Sequence, residues 1–167
     1  MTGRIVVGVD GSRESHAALR WAALEARLRE TAVAAVHVLS VAWDLPDTEI
    51  TAPSSALERK ASALLDDALS RIGDIGARVE RRLLIGDPTQ RLLEEARHAQ
   101  LVVVGSHGHG LLGKMKKLGS VSSHVARDAP CPVVIVRDTQ SATFVTTRTG
   151  PTEIEHGVPN PRARQGG

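Results

Sequence analysis

Five short apolar, β-branched runs recur along the chain, and between them lie segments with helical spacing of apolar residues. The runs are Ile5–Val9, Val33–Val41, Val79–Ile85, Leu101–Val104 and Pro132–Val136. Continuous apolar strands of this length are buried on both faces, and strands alternating with helices form a parallel sheet. The order β-α-β-α-β-α-β-α-β therefore predicts an α/β domain, a five-stranded parallel sheet with helices on both faces and right-handed crossovers. Val79–Ile85 is interleaved with Arg and Glu, as an edge strand is.

The helical segments carry their own signals. Ser12 is placed to cap the first helix, where Ala17, Trp21, Leu24 and Leu28 recur at helical spacing and predict the core-facing side. A second helix is predicted over Ser55–Ile72, with Leu57, Ala61, Leu64, Leu65 and Ala68 on one face and Gly73 and Gly76 ending it. Gly86-Asp87-Pro88 turns the chain into a third helix over Thr89–His98, and a fourth covers Ser120–Arg127. Residues 43–54 hold two prolines and read as an excursion loop. From Asp138 onward the apolar periodicity ends. This divides the chain into a domain over 1–137 and a tail over 138–167 that reads as disordered or loosely docked.

Composition narrows the function. The chain has 167 residues, 41% of them hydrophobic, enough for one domain with a real core. Aromatic residues are limited to Trp21, Trp43 and Phe144, which argues against base-stacking recognition of single strands. A formal charge of +2 with mixed signs offers no nucleic-acid footprint. A single cysteine, Cys131, fits a reducing compartment and reads as a small core filler between two prolines. The N-terminus shows no signal-peptide pattern, and no apolar stretch approaches the ~20 residues of a membrane span. The expectation is a cytoplasmic protein.

Ligand chemistry is suggested where two of the strands end. The first opens onto Gly8-Val9-Asp10-Gly11-Ser12, and the fourth onto Gly105-Ser106-His107-Gly108. Ten residues later comes Gly119-Ser120-Val121-Ser122, at the start of a helix. Glycines let backbone amides approach an anion, and a helix N-terminus favours phosphate. In doubly wound sheets such loops flank a crevice where the winding reverses. Asp10 is equally suited to an Asx turn with Ser12, and Val38 to the core. His37 reads as a satisfied core histidine, while His16 and His98 read as exposed on helices. His107 and His109 lack a clear third metal ligand.

Other motifs are weaker. Gly108, Gly110 and Gly113 spell a dinucleotide fingerprint after the wrong strand, without its acidic partner. Gly108–Lys114 approaches a Walker A loop, but Met115 stands where Ser or Thr must touch Mg²⁺. Lys114, Lys116 and Lys117 suit terminal phosphates or solvent. Ser12, Ser120 and Ser122 have no His-Asp partner pattern for a hydrolase.

Taken together, Val7-Gly8-Val9-Asp10-Gly11-Ser12, His37-Val38, Gly86-Asp87-Pro88, the stretch Gly105–Ser122 and Ala129-Pro130-Cys131-Pro132-Val133 resemble the universal stress protein family, in its nucleotide-binding branch. The resemblance spans Ile5–Arg137. The family signature has nine residues before the last glycine, and this chain has ten, residues 109–118. A loop of glycines and lysines can absorb the extra residue.

The resemblance implies a Rossmann-like fold of the adenine nucleotide alpha hydrolase-like type, and ATP, with or without Mg²⁺, between the loops after the first and fourth strands. It places Asp10 and Val38 at the adenine and ribose end, and Gly105, His107 and Gly108 at ribose and phosphates. Gly119, Ser120, Val121 and Ser122 would hold phosphates through amides and hydroxyls, and Gly8, Val9 and Val104 complete the set. It also implies a homodimer through residues 132–136. The resulting expectation is an ATP-binding, nucleotide-responsive regulator in the stress response. The alternatives are a cyclic-nucleotide binder, a slow ATPase or self-phosphorylating protein using Ser120 or Ser122, and a nucleotide-free dimeric interaction module.

Overall fold

A computed structural model describes residues 3–40, 55–107 and 118–138. The excursion loop 43–54, Gly108 with the loop through Lys117, and the chain beyond Asp138 lie outside the described residues. The elements in order are β1 (Arg4–Gly8), α1 (Arg13–Leu28), β2 (Ala32–Leu39), α2 (Ser55–Ile72), β3 (Arg78–Ile85), α3 (Pro88–Ala96), β4 (Ala99–Gly105), α4 (Ser120–Asp128) and β5 (Val133–Val136). All strand pairings are parallel, and the sheet order is β3-β2-β1-β4-β5. The chain winds outward from β1 through β2 to β3, returns to β4 beside β1, and continues to β5. The direction of winding reverses between β1 and β4.

Two apolar clusters form, one on each face of the sheet. On one face Ile5, Val7, Val33, Ala35, Leu101 and Val103 pack under α1 and α2. On the other, Val6, Ala34, Val36, Val102 and Val104 pack under α3 and α4. Ile5, Val6 and Val7 are all fully buried, which is why β1 reads as an uninterrupted apolar run. β3 lies at an edge, as its charges predict. Cys131 packs against the second cluster, and burial raises its thiol pKa above the ordinary range.

The structure corrects the predicted face of α1. The side turned to the sheet is Ala18, Leu19, Ala22 and Ala26, whereas Leu24 is 41% and Leu28 75% exposed. Trp21 is half-buried against the edge of the cluster. Alanines let the helix axis lie close to the sheet, and larger side chains on that face would hold it off. The closeness is visible at Gly105, where an added Cβ would lie 2.9 Å from the Glu14 backbone carbon.

Smaller differences follow from local chemistry. α3 begins at Pro88, capped by the Asp87 carboxylate accepting from Gln90 N at 2.8 Å, and it ends two residues before His98. Pro132 precedes β5 because it has no amide to donate, though its carbonyl accepts from Val102 N at 3.0 Å. His16 is half-buried, contrary to expectation. Its Nε2 has no hydrogen-bond partner among the described residues. α1 closes in a Schellman-type cap, with Thr31 N donating to Ala26 O and Glu30 N to Arg27 O; Glu30 stands there at φ 53°.

Candidate functional site

A cleft of about 450 Å³ opens past the carboxyl ends of β1, β2 and β4, at the point where the winding reverses. Its floor and one wall include Gly8, Val9, Asp10 and Val38. The opposite wall includes Val104, Gly105, His107, Gly119, Ser120, Val121 and Ser122. The structure therefore brings together every candidate residue read from the sequence except Gly108, which lies outside the described residues.

The loop after β1 is held by its own side chains. Asp10 Oδ1 accepts from Ser12 N at 2.9 Å and from Ser12 Oγ at 2.6 Å, an Asx turn. Ser12 Oγ in turn accepts from Ser15 N at 3.1 Å and caps α1. Ser15 Oγ accepts from Asp10 N at 3.3 Å. Asp10 thus holds the turn while standing on the cleft wall.

The loop after β4 is organised by Ser106, which is 2% exposed. Its amide donates to Val136 O at 2.8 Å, so the end of β5 fixes it. Its carbonyl accepts from Gly119 N at 2.9 Å, which brings the start of α4 to the end of β4. The Gly119 amide is consequently committed within the protein. Ser122 Oγ donates inward, to Gly119 O at 3.0 Å or Ser106 O at 3.3 Å, and the residue is 3% exposed. The Ser122 hydroxyl is therefore engaged within the protein. Ser120 is exposed.

α4 differs from α1 and α3 in having no side-chain cap at its N-terminus. An uncapped helix start leaves first-turn amides without intrahelical partners and concentrates the positive end of the dipole there. Those amides belong to Ser120, Val121 and Ser122, on the cleft wall. The geometry suits an anion at this end and an apolar, hydrogen-bonding group at the other.

Residues that the sequence reading left out also line the cleft: Ser15, Val36, His37, Ser40, Pro88 and Leu92. His37 Nδ1 lies 2.7 Å from Val9 O, so this nitrogen carries the hydrogen and Nε2 is the acceptor in the neutral ring. The histidine is satisfied, as expected, but it belongs to the cleft as well as to the strand. Pro88 and Leu92 arrive from α3, on the face opposite α1. No sequence periodicity announces that two helices from different faces meet at one opening. Among the described residues no group of three His, Cys, Asp or Glu side chains could hold a metal ion, and Asp10 is the one acidic residue lining the cleft. Among them, too, no helix is long and apolar enough to cross a membrane.

A model of the universal stress protein family matches residues 1–137. A universal stress protein of Mycolicibacterium smegmatis is 42% identical over 137 residues, covering 80% of this chain and 45% of that protein. The chain spans about half the length of the first curated relatives it matches. Among solved structures, the universal stress protein from Archaeoglobus fulgidus in complex with dAMP is 29% identical with a TM-score of 0.61, over 80% of this chain and 97% of that one. A universal stress protein in complex with cAMP is 29% identical with a TM-score of 0.53, over 81% and 98%. The five-stranded doubly wound sheet, the loops that meet at its switch point and the match over residues 1–137 have one source: the chain belongs to the universal stress protein family.

Proposed function

We propose that the cleft binds an adenine nucleotide, with ATP as its ligand, and that the protein is a cytoplasmic, nucleotide-responsive regulator in the stress response. The observation that carries this reading is the uncapped start of α4 on the cleft wall. The amides of Ser120, Val121 and Ser122 would seat a phosphate there. Asp10 and Val38 would take the adenine and ribose end, where a carboxylate can accept from a ribose hydroxyl or exocyclic amine. The relatives solved with dAMP and with cAMP support an adenine nucleotide as the class. Mg²⁺ typically binds through one or two carboxylates plus phosphates, and Asp10, on the cleft wall, would supply such a carboxylate if ATP brings the ion. The outer edge of β5, unpaired among the described residues, suits the homodimer that the family resemblance implies.

A second reading is a nucleoside monophosphate, cyclic AMP included. The described residues offer one cluster of free first-turn amides, enough for a single phosphate group. Calorimetry of nucleotide-stripped protein separates the two readings. ATP with Mg²⁺ binding more tightly than AMP and cyclic AMP supports the first. Tighter binding of AMP or cyclic AMP moves the assignment to the second. Absence of heat with all three overturns both and leaves the dimeric interaction module.

A further inference from the structure

We infer that the outer apolar stripe of α1 is the docking surface for the chain's own segment beyond Asp138, with Phe144 as its anchor. The stripe is Ala17, Trp21, Leu24 and Leu28, spaced four, three and four residues apart, so the side chains line one side of the helix. It lies on the side opposite Ala18, Leu19, Ala22 and Ala26, which pack on the sheet. Among the described residues nothing covers its lower half, where Leu24 is 41% and Leu28 75% exposed. Trp21 is half-buried at the edge of the core cluster, and Leu24 and Leu28 carry this apolar surface out into solvent, where it is free to make a contact.

The path of the chain says what reaches it. After β5 the backbone arrives at Asp138, whose carboxylate lies 2.9 Å from the Arg13 guanidinium at the first residue of α1. The Asp138 side chain is only 13% exposed, so the chain leaves the sheet already against the top of α1. The sequence continues for 29 residues past that point. Phe144, the chain's only phenylalanine, follows six residues later with Val145 beside it. Six extended residues reach about 20 Å. The rise along α1 from Arg13 to Leu24 is about 16 Å. Phe144 is thus within reach of the exposed leucines.

The test uses the full-length chain carrying Trp43→Phe, so that Trp21 is the only tryptophan. Phe144→Asp is expected to shift Trp21 emission to longer wavelength and to steepen acrylamide quenching, equally at low and high protein concentration. Leu24→Asp, on an exposed helix position that leaves the fold intact, is expected to speed tryptic cleavage at Arg148. An emission change that appears only on dilution would assign the stripe to a second copy and overturn the proposal. Unaltered quenching in Phe144→Asp together with unaltered cleavage in Leu24→Asp would overturn it as well.

Discussion

The amide of Gly119 donates to the carbonyl of Ser106 at 2.9 Å, across a loop of twelve intervening residues. This bond fixes the start of α4 to the end of β4 whatever the loop between them does.

Gly119 stands at φ −63° and ψ 160°, a conformation open to any residue, and a Cβ there meets His107 Cα at an ordinary 3.5 Å. Gly119→Asp therefore fits the fold. Its carboxylate would cap the free amides of α4 and gain about 0.3–1 kcal/mol. The same carboxylate would occupy the proposed phosphate seat, with a like-charge cost of about 2 kcal/mol or more, roughly thirtyfold in affinity. Thermal unfolding and nucleotide titration should move in opposite directions. A variant that keeps wild-type affinity removes the phosphate from this helix.

Gly105 is a packing glycine. A Cβ would meet Glu14 C and Cβ at 2.9 Å and Ser15 N at 3.0 Å, and two of those atoms are backbone. Gly105→Ala should destabilise the protein by about 1–3 kcal/mol, because α1 must retreat from the sheet. Urea denaturation reads the loss directly, and a midpoint equal to wild type would show that α1 has room to move.

Glu30 occupies the left-handed position of the α1 cap at φ 53°. A non-glycine residue there costs about 1–2 kcal/mol, and glycine's added chain entropy gives back about 0.5–1. Glu30→Gly is expected to raise stability by about 0.5–1 kcal/mol, seen as a higher denaturant midpoint with an unchanged slope.

Glu95 on α3 joins two strands. Its carboxylate lies 2.7 Å from Arg4 of β1 and 2.8 Å from Arg82 of β3, and its side chain is 10% exposed. Arg4 Nε is itself buried without a partner among the described residues, so Glu95 is the main compensation for that guanidinium. Glu95→Gln should cost about 2–3 kcal/mol, less than a fully buried pair because both arginines reach solvent. Asp67→Ala, which removes an exposed ion pair with Arg71, should leave the midpoint nearly unmoved. Equal effects from the two substitutions would contradict this account.

The strands were legible because burial on both faces leaves a chemical trace: Leu101–Val104 is apolar throughout and buried throughout. The cap at Ser12 was legible because it acts through its own next few residues. The core face of α1 was not, because apolar residues stand on two sides of that helix. Which side turns inward depends on how closely the sheet can be approached, and Ala22 answers that better than Leu24. Gly105 invited an anion reading, yet the backbone of α1, ninety residues earlier in the chain, accounts for its missing side chain.

By itself the sequence determined the alternation of strand and helix, the parallel sheet and the two glycine-rich strand ends. These rest on periodicity and on interactions between near neighbours in the chain. Only the tertiary structure decided that Ser106 joins the end of β5 to the start of α4 and that Asp138 meets Arg13. Each of those facts joins residues that are remote in sequence, and a hydrogen bond or close contact between remote residues is fixed by the packing of the whole domain.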